Sequence, residues 1–193
     1  GSQVIGAEER GVEHGGLETI LMGPFGPWDF RSGEEKPEQR QAGGLLADAN
    51  FDCRWFRWSE KDTDPRGELE LWRGLAREPL AQGSCIGLIS PHGGTPTSAL
   101  GQATRKAVGN DHFGLIAHAR VEVSGGSYLL RVTSDDGVRV LIDGKPVFED
   151  WTWHAPRTGE VQLDLAPGSH DLVTEYFQID GALALMVELE AMP

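Results

Sequence analysis

The run Trp151-Thr152-Trp153-His154 carries the most direct binding chemistry in the chain. Two tryptophans one residue apart face the same way on an extended segment, and an exposed indole stacks on the C–H face of a sugar ring. Trp151 reads first as a loop-end side chain that closes the end of the fold, while Trp153 and His154 are open to either role. The second feature is Ser134-Asp135-Asp136-Gly137. Aspartates ahead of a glycine form tight turns by accepting bonds from nearby backbone N–H groups. A surplus of carboxylates is also compatible with hard divalent cations.

Catalytic patterns are sparse by comparison. The sequence has no G-x-S-x-G, no H-E-x-x-H and no full EF-hand loop. His92-Gly93-Gly94 has the look of an oxyanion loop but lacks a nucleophile motif to serve. His14, His92, His112, His118, His154 and His170 show no metal-ligand spacing. Glycosidase-type acid pairs can be drawn at will from 30 acidic residues, so they discriminate nothing. The expectation is a non-catalytic module.

The elements that must hold these residues are strands. Leu115, Ala117, Ala119, Val121 and Val123 alternate with Ile116, His118, Arg120 and Glu122. The period of two resumes at Tyr128, Leu130 and Val132 and continues through Val138, Val140 and Ile142 to the hairpin signal Asp143-Gly144. Further strands are expected at 161–165, 170–178 and 182–190, with Pro167-Gly168 between the first two. Phe51 to Trp58 reads as a strand with aromatics on both faces, a core and sheet segment rather than a ligand platform. One helix is expected, capped by Asp64 with Pro65 in its first turn and Leu69, Trp72, Leu75 and Ala76 on one face. Leu17 to Phe25 could form a buried strand, Arg31 to Arg40 a loop, and 83–110 a long surface connection with one short helical turn.

Composition agrees with many short elements. Of 193 residues, 26 are Gly and 11 are Pro, which leaves little room for long helices. The net charge of −13 argues against a nucleic-acid backbone and against an anionic membrane surface as partners. Residues 111–193 hold 14 of the 30 acidic residues but only 5 of the 17 basic ones, so the acidity is concentrated there. No stretch approaches the ~20 apolar residues of a membrane span. The two cysteines, Cys53 and Cys85, are either two buried thiols or a pair whose loop closure would contribute roughly 3–4 kcal/mol.

One ordered set of residues is specific: Gly126-Ser127-Tyr128, a strand, Ser134-Asp135-Asp136-Gly137, a strand, Asp143-Gly144, Trp151, Pro167-Gly168-Ser169-His170 and Glu175-Tyr176. This set resembles the PA-fourteen (protective-antigen-like) domain family over residues 112–190. The resemblance implies an all-β fold, an antiparallel barrel or sandwich, with a short helix and an N-terminal elaboration over 1–50 preceding a barrel over 51–193. A single domain is expected over 1–193. The family occurs in secreted and surface proteins, so the resemblance implies an extracellular or cell-envelope module joined to other domains of a larger protein.

In the family's sugar-binding branch, two adjacent aspartates joined by a cis peptide hold one Ca²⁺, which in turn holds sugar hydroxyls. The matching pair is Asp135-Asp136. Neighbouring side chains on an extended chain point to opposite faces, so their convergence on one cation needs an unusual backbone. Calcium takes six to eight oxygens, so further donors are needed. Where the adhesin branch supplies an Asn, this chain has Gln178, with Asp180 two residues on. The resemblance therefore implies a carbohydrate-binding module with calcium as cofactor. Asp135, Asp136, Gln178 and Asp180 would be metal ligands, and Asp135, Asp136, Trp151, Trp153 and His154 would lie at the sugar. The alternative is a structural or protein–protein module in which Asp135-Asp136 is a plain turn.

Overall fold

The structure is a computed structural model and describes residues 21–23, 26–28, 44–82, 88–90 and 105–193. The expectations for Arg31 to Arg40, for most of Leu17 to Phe25 and for much of 83–110 lie outside these residues. A small ribbon, β1 (Leu21–Gly23) and β2 (Gly26–Trp28), stands in the N-terminal part. The remaining strands form two antiparallel sheets. In the six-stranded sheet the order is β4 (Ala81–Gln82), β3 (Asp52–Arg57), β6 (Phe113–Val123), β11 (Gly168–Gln178), β8 (Val138–Ile142) and β9 (Lys145–Asp150). The four-stranded sheet runs β10 (Arg157–Leu165), β7 (Gly126–Asp135), β12 (Leu183–Ala191) and β5 (Leu88–Ser90). The fold is a sandwich of two open sheets.

Alternation along the strands explains how the sheets pack. On β6, Leu115, Ala117, Ala119, Val121 and Val123 are buried, whereas His118, Arg120 and Glu122 are exposed. Leu115, Ala117, Val121 and Val123 meet Tyr128, Leu130 and Val132 of β7 and Leu183, Leu185, Val187 and Leu189 of β12 in one core. Each fully buried aliphatic side chain contributes about 1.5–3 kcal/mol relative to exposure. Cys53, on β3 within this core, is disulfide-bonded, which removes the free-thiol alternative for it.

The outer face of the six-stranded sheet carries a second cluster. Helix α1 (Leu69–Leu75) lies over Phe56, Trp58, Phe177 and Ile179 through Trp72, with Trp151 packed at its side. Gly114 makes this approach feasible, since a Cβ there would stand 2.5 Å from the Phe56 ring and 2.8 Å from Trp72. Buried Glu175 of β11 accepts from Arg73 Nε at 2.6 Å and Nη2 at 2.9 Å, a two-bond clamp between helix and sheet.

The helix starts later than its capping signal suggests. Asp64 Oδ1 accepts the Arg66 N–H, and the Asp64 carbonyl accepts those of Gly67 and Glu68, which makes a separate turn. The helix proper begins at Leu69 after Glu68, with no side-chain cap.

Candidate functional site

Three connections cross between the sheets at one end of the sandwich. They are residues 136–137 between β7 and β8, 151–156 between β9 and β10, and 179–182 between β11 and β12. The turns at 124–125, 143–144 and 166–167 lie at the opposite end. The residues singled out in sequence are therefore brought to a common end from segments up to about 45 residues apart.

Asp136 is the residue that ties the three crossings together. Its side chain is 1 % exposed; Oδ2 accepts the Ile179 N–H at 2.7 Å and Oδ1 accepts the His154 N–H at 3.3 Å. Burial raises its pKa, and the two backbone donors oppose that shift. The following Gly137 is required by packing, because a Cβ would lie 2.1 Å from the Phe177 ring.

Asp135 differs from its neighbour. The peptide joining the two is cis, and the Asp135 carboxyl lies beside that of Asp136. It is buried, yet among the described residues no N–H donates to it. Desolvation first, then the adjacent Asp136 charge, pushes its pKa to about 8. Asp180 is exposed, and its charge raises both members of the pair.

Gln178 is fully buried and spends its amide on the protein. Nε2 donates to the carbonyls of Asp180 at 2.5 Å and Ala182 at 2.7 Å, which folds the 179–182 crossing around it. The Tyr176 hydroxyl lies against Gln178 Oε1 and the Asp135 carbonyl oxygen. The single phenolic proton is shared between these two acceptors, and burial lifts the Tyr176 pKa well above the usual range.

The aromatic run divides. Trp153 is 64 % exposed. Trp151 is not a free platform: its ring packs edge-on against Trp72 and Phe177, Nε1 donates to the Pro65 carbonyl at 2.9 Å, and the Arg139 guanidinium stands over its face. His154, open to either role in the sequence, turns inward, with its side chain only 6 % exposed. Nδ1 donates to the Ala155 carbonyl and Nε2 faces Asp150, so only the backbone N–H of His154 reaches the acidic pair. The segment bends after Trp151 and does not continue as a strand, so the two-residue period breaks where it was applied.

Arg66 was not visible in sequence as part of this end. The Trp151–Pro65 bond brings it there, and the Asp136 charge acts on its guanidinium, which Asp64 holds at 2.6 Å. Nothing in the local pattern signals this position, because the contact depends on two crossings meeting. Among the described residues, no group of three or more His, Cys, Asp or Glu side chains is arranged to hold a metal.

An antiparallel sandwich whose sheet crossings gather a buried carboxyl pair is the class this fold defines. Residues 98–190 match the family described as PA14 domain. The chain is similar in fold to the PA14 domain of the MpAFP antifreeze protein, at 15 % identity over 83 % of this chain and 87 % of that one, with a TM-score of 0.53. It is likewise similar to a PA14 sugar-binding domain from an RTX adhesin, at 18 % identity over 74 % and 89 % of the two chains, with a TM-score of 0.51. A GH31 alpha-xylosidase from Xanthomonas citri shares 29 % identity over 39 % of this chain, with a TM-score of 0.34, and the match spans 9 % of the xylosidase. No curated protein matches the chain.

Proposed function

We propose that this chain is a non-catalytic carbohydrate-binding module whose ligand meets the crossing end of the sandwich through a calcium ion held by Asp135 and Asp136. The observation that carries the reading is the Asp135 carboxyl: buried, next to a second carboxyl, and without an N–H donor. Like charges so placed disfavour ionisation, and a divalent cation reverses that preference. The pair suits a hard cation, since Asp135 and Asp136 supply carboxylate oxygens side by side and the charge of exposed Asp180 adds to the negative field on both. When bound, the ion supplies coordination positions that a vicinal diol can fill. The protein's own residues do the rest. Asp136 holds the crossings in register, Gln178 shapes the loop, and exposed Trp153 offers an apolar face for a sugar ring.

The description of the adhesin domain as sugar-binding supports this reading. A disulfide at Cys53 supports an extracellular or cell-envelope site, where such bonds persist. No helix among the described residues is long and apolar enough to cross a membrane. Other domains of a larger protein would then carry any catalytic activity.

A second reading, a structural or protein–protein module, is favoured by one observation. Asp136 already satisfies two backbone donors without any ion. Calorimetric calcium titration of chelator-treated protein separates the two, with heat and a raised Tm expected for the first. Absence of both at millimolar Ca²⁺ removes the metal-bridged mechanism. Glycan-array binding that requires calcium and is lost in Asp135→Asn supports the carbohydrate reading; binding indifferent to both moves the site elsewhere.

A further inference from the structure

At the end of the sandwich opposite the acidic pair, His170 opens β11 between two turns. Nδ1 lies 2.7 Å from Asp143 Oδ2 in the 143–144 turn, and Nε2 lies 2.9 Å from the Ala166 carbonyl in the 166–167 turn. A carboxylate and a carbonyl only accept, and a neutral imidazole carries a single N–H. Both contacts are hydrogen bonds at once only when both ring nitrogens are protonated. We infer that His170 is a proton-dependent clamp: as imidazolium it fastens the β8–β9 turn to the β10–β11 turn, and on losing its proton it releases one of them.

The surroundings favour the charged form. The Ala166 and Asp143 contacts, together with the charge of Glu122 on β6, raise the His170 pKa. Asp143 in turn is held below its usual range by His170 and by the Asp171 N–H, which donates to Oδ1 at 3.0 Å, with Lys145 adding to the effect. Of the other charges close to this end, Asp164 accepts from the Ser127 hydroxyl. Asp171 meets Arg120 at 3.3 Å and His118 at 3.4 Å. Asp143 adopts a left-handed conformation, φ 51°, and its N–H donates to the Asp171 carbonyl while its Oδ1 accepts the Asp171 N–H, so the clamp acts on a turn already aligned with β11.

The pH window follows from the two directions. His170, with its folded pKa raised, contributes stability that is complete below 6.5 and is lost as pH rises through the folded value. Asp143, with its folded pKa lowered, contributes above 3.8 and fails as pH falls through its own folded value. The clamp is therefore fully closed in mildly acidic solution and opens towards alkaline pH.

Imidazole nitrogen NMR of the whole chain between about pH 5 and about pH 9 tests this, because that range brackets histidine titration. Both His170 nitrogens are expected to be protonated at the acidic end, with a midpoint above 6.5 that falls in Asp143→Asn. A midpoint at or below 6.5, or one unmoved by Asp143→Asn, overturns the clamp. As a second reading, Tm of the wild type is expected to fall as pH rises through the His170 midpoint, and His170→Gln to flatten that fall. An equal fall in both proteins overturns it as well.

Discussion

The Asp136 carboxylate accepts the backbone N–H of Ile179 at 2.7 Å, bridging two sheet crossings that stand 43 residues apart in sequence. A further bond to the His154 N–H makes one side chain the common partner of all three crossings. A buried acceptor in that position has consequences for stability that do not depend on any ligand.

Asp136→Ala leaves two backbone donors unsatisfied, one of them fully buried, and is expected to cost about 2–4 kcal/mol in urea unfolding. Asp136→Asn keeps one acceptor oxygen and should cost less. A loss below about 0.5 kcal/mol for the alanine variant would show that the crossings are held by other contacts.

Asp135 should behave in the opposite way. Its carboxyl takes no N–H donor and suffers from burial, so Asp135→Asn is expected to leave Tm in chelator unchanged or higher. The same variant should lose the rise in Tm that millimolar calcium produces in the wild type. A calcium response that survives Asp135→Asn excludes this carboxylate as a ligand.

Arg66 places positive charge within reach of Asp136 and is partly exposed, so it should weaken cation binding modestly. Arg66→Gln is expected to tighten calcium about two- to five-fold at low salt, with the gain fading as ionic strength rises. Calorimetry at two salt concentrations reads this directly, and weaker binding in the variant contradicts the sign.

The two tryptophans should separate stability from binding. Trp151→Ala removes a ring packed against Trp72 and Phe177 and should cost about 3 kcal/mol. Trp153→Ala should leave thermal unfolding unchanged while reducing glycan-array signal. Destabilisation by Trp153→Ala, or full binding without it, would remove the indole from the proposed sugar contact.

Arg73 and Glu175 form the clamp beneath helix α1. Arg73→Met removes both hydrogen bonds from the buried Glu175 carboxylate, leaving it Arg139 at 3.8 Å, and is expected to cost about 2 kcal/mol, with much of that restored in the Arg73→Met/Glu175→Leu double variant. Chemical denaturation of the three proteins tests it, and additive losses would mean that the two residues do not act as a pair.

Much of this architecture is legible from residue types alone. The two-residue alternation of Leu115 to Val123 gives an inward apolar face whatever it packs against, and Asp143-Gly144 turns the chain because those residues tolerate left-handed backbone. The short helix is legible from Leu69, Trp72 and Leu75, though not its start, because Asp64 closes a turn of its own five residues earlier. Trp151 is legible as a side chain closing the end of the fold, whereas the inward turn of the His154 ring is not. Their orientation is set by Pro65, Trp72, Phe177 and Asp150, which no local pattern places beside them.

By itself, the sequence determined the strands, the acidity of residues 111–193 and the adjacency of Asp135 and Asp136, since these depend only on neighbours along the chain. The tertiary structure decided which of those groups meet. Three crossings converge at one end because β7, β9 and β11 all end there, and only then does Asp136 gain two backbone donors while Asp135 gains none among the described residues. Burial and hydrogen bonding from distant segments give two chemically identical side chains different environments, and that difference is invisible in a string of residues.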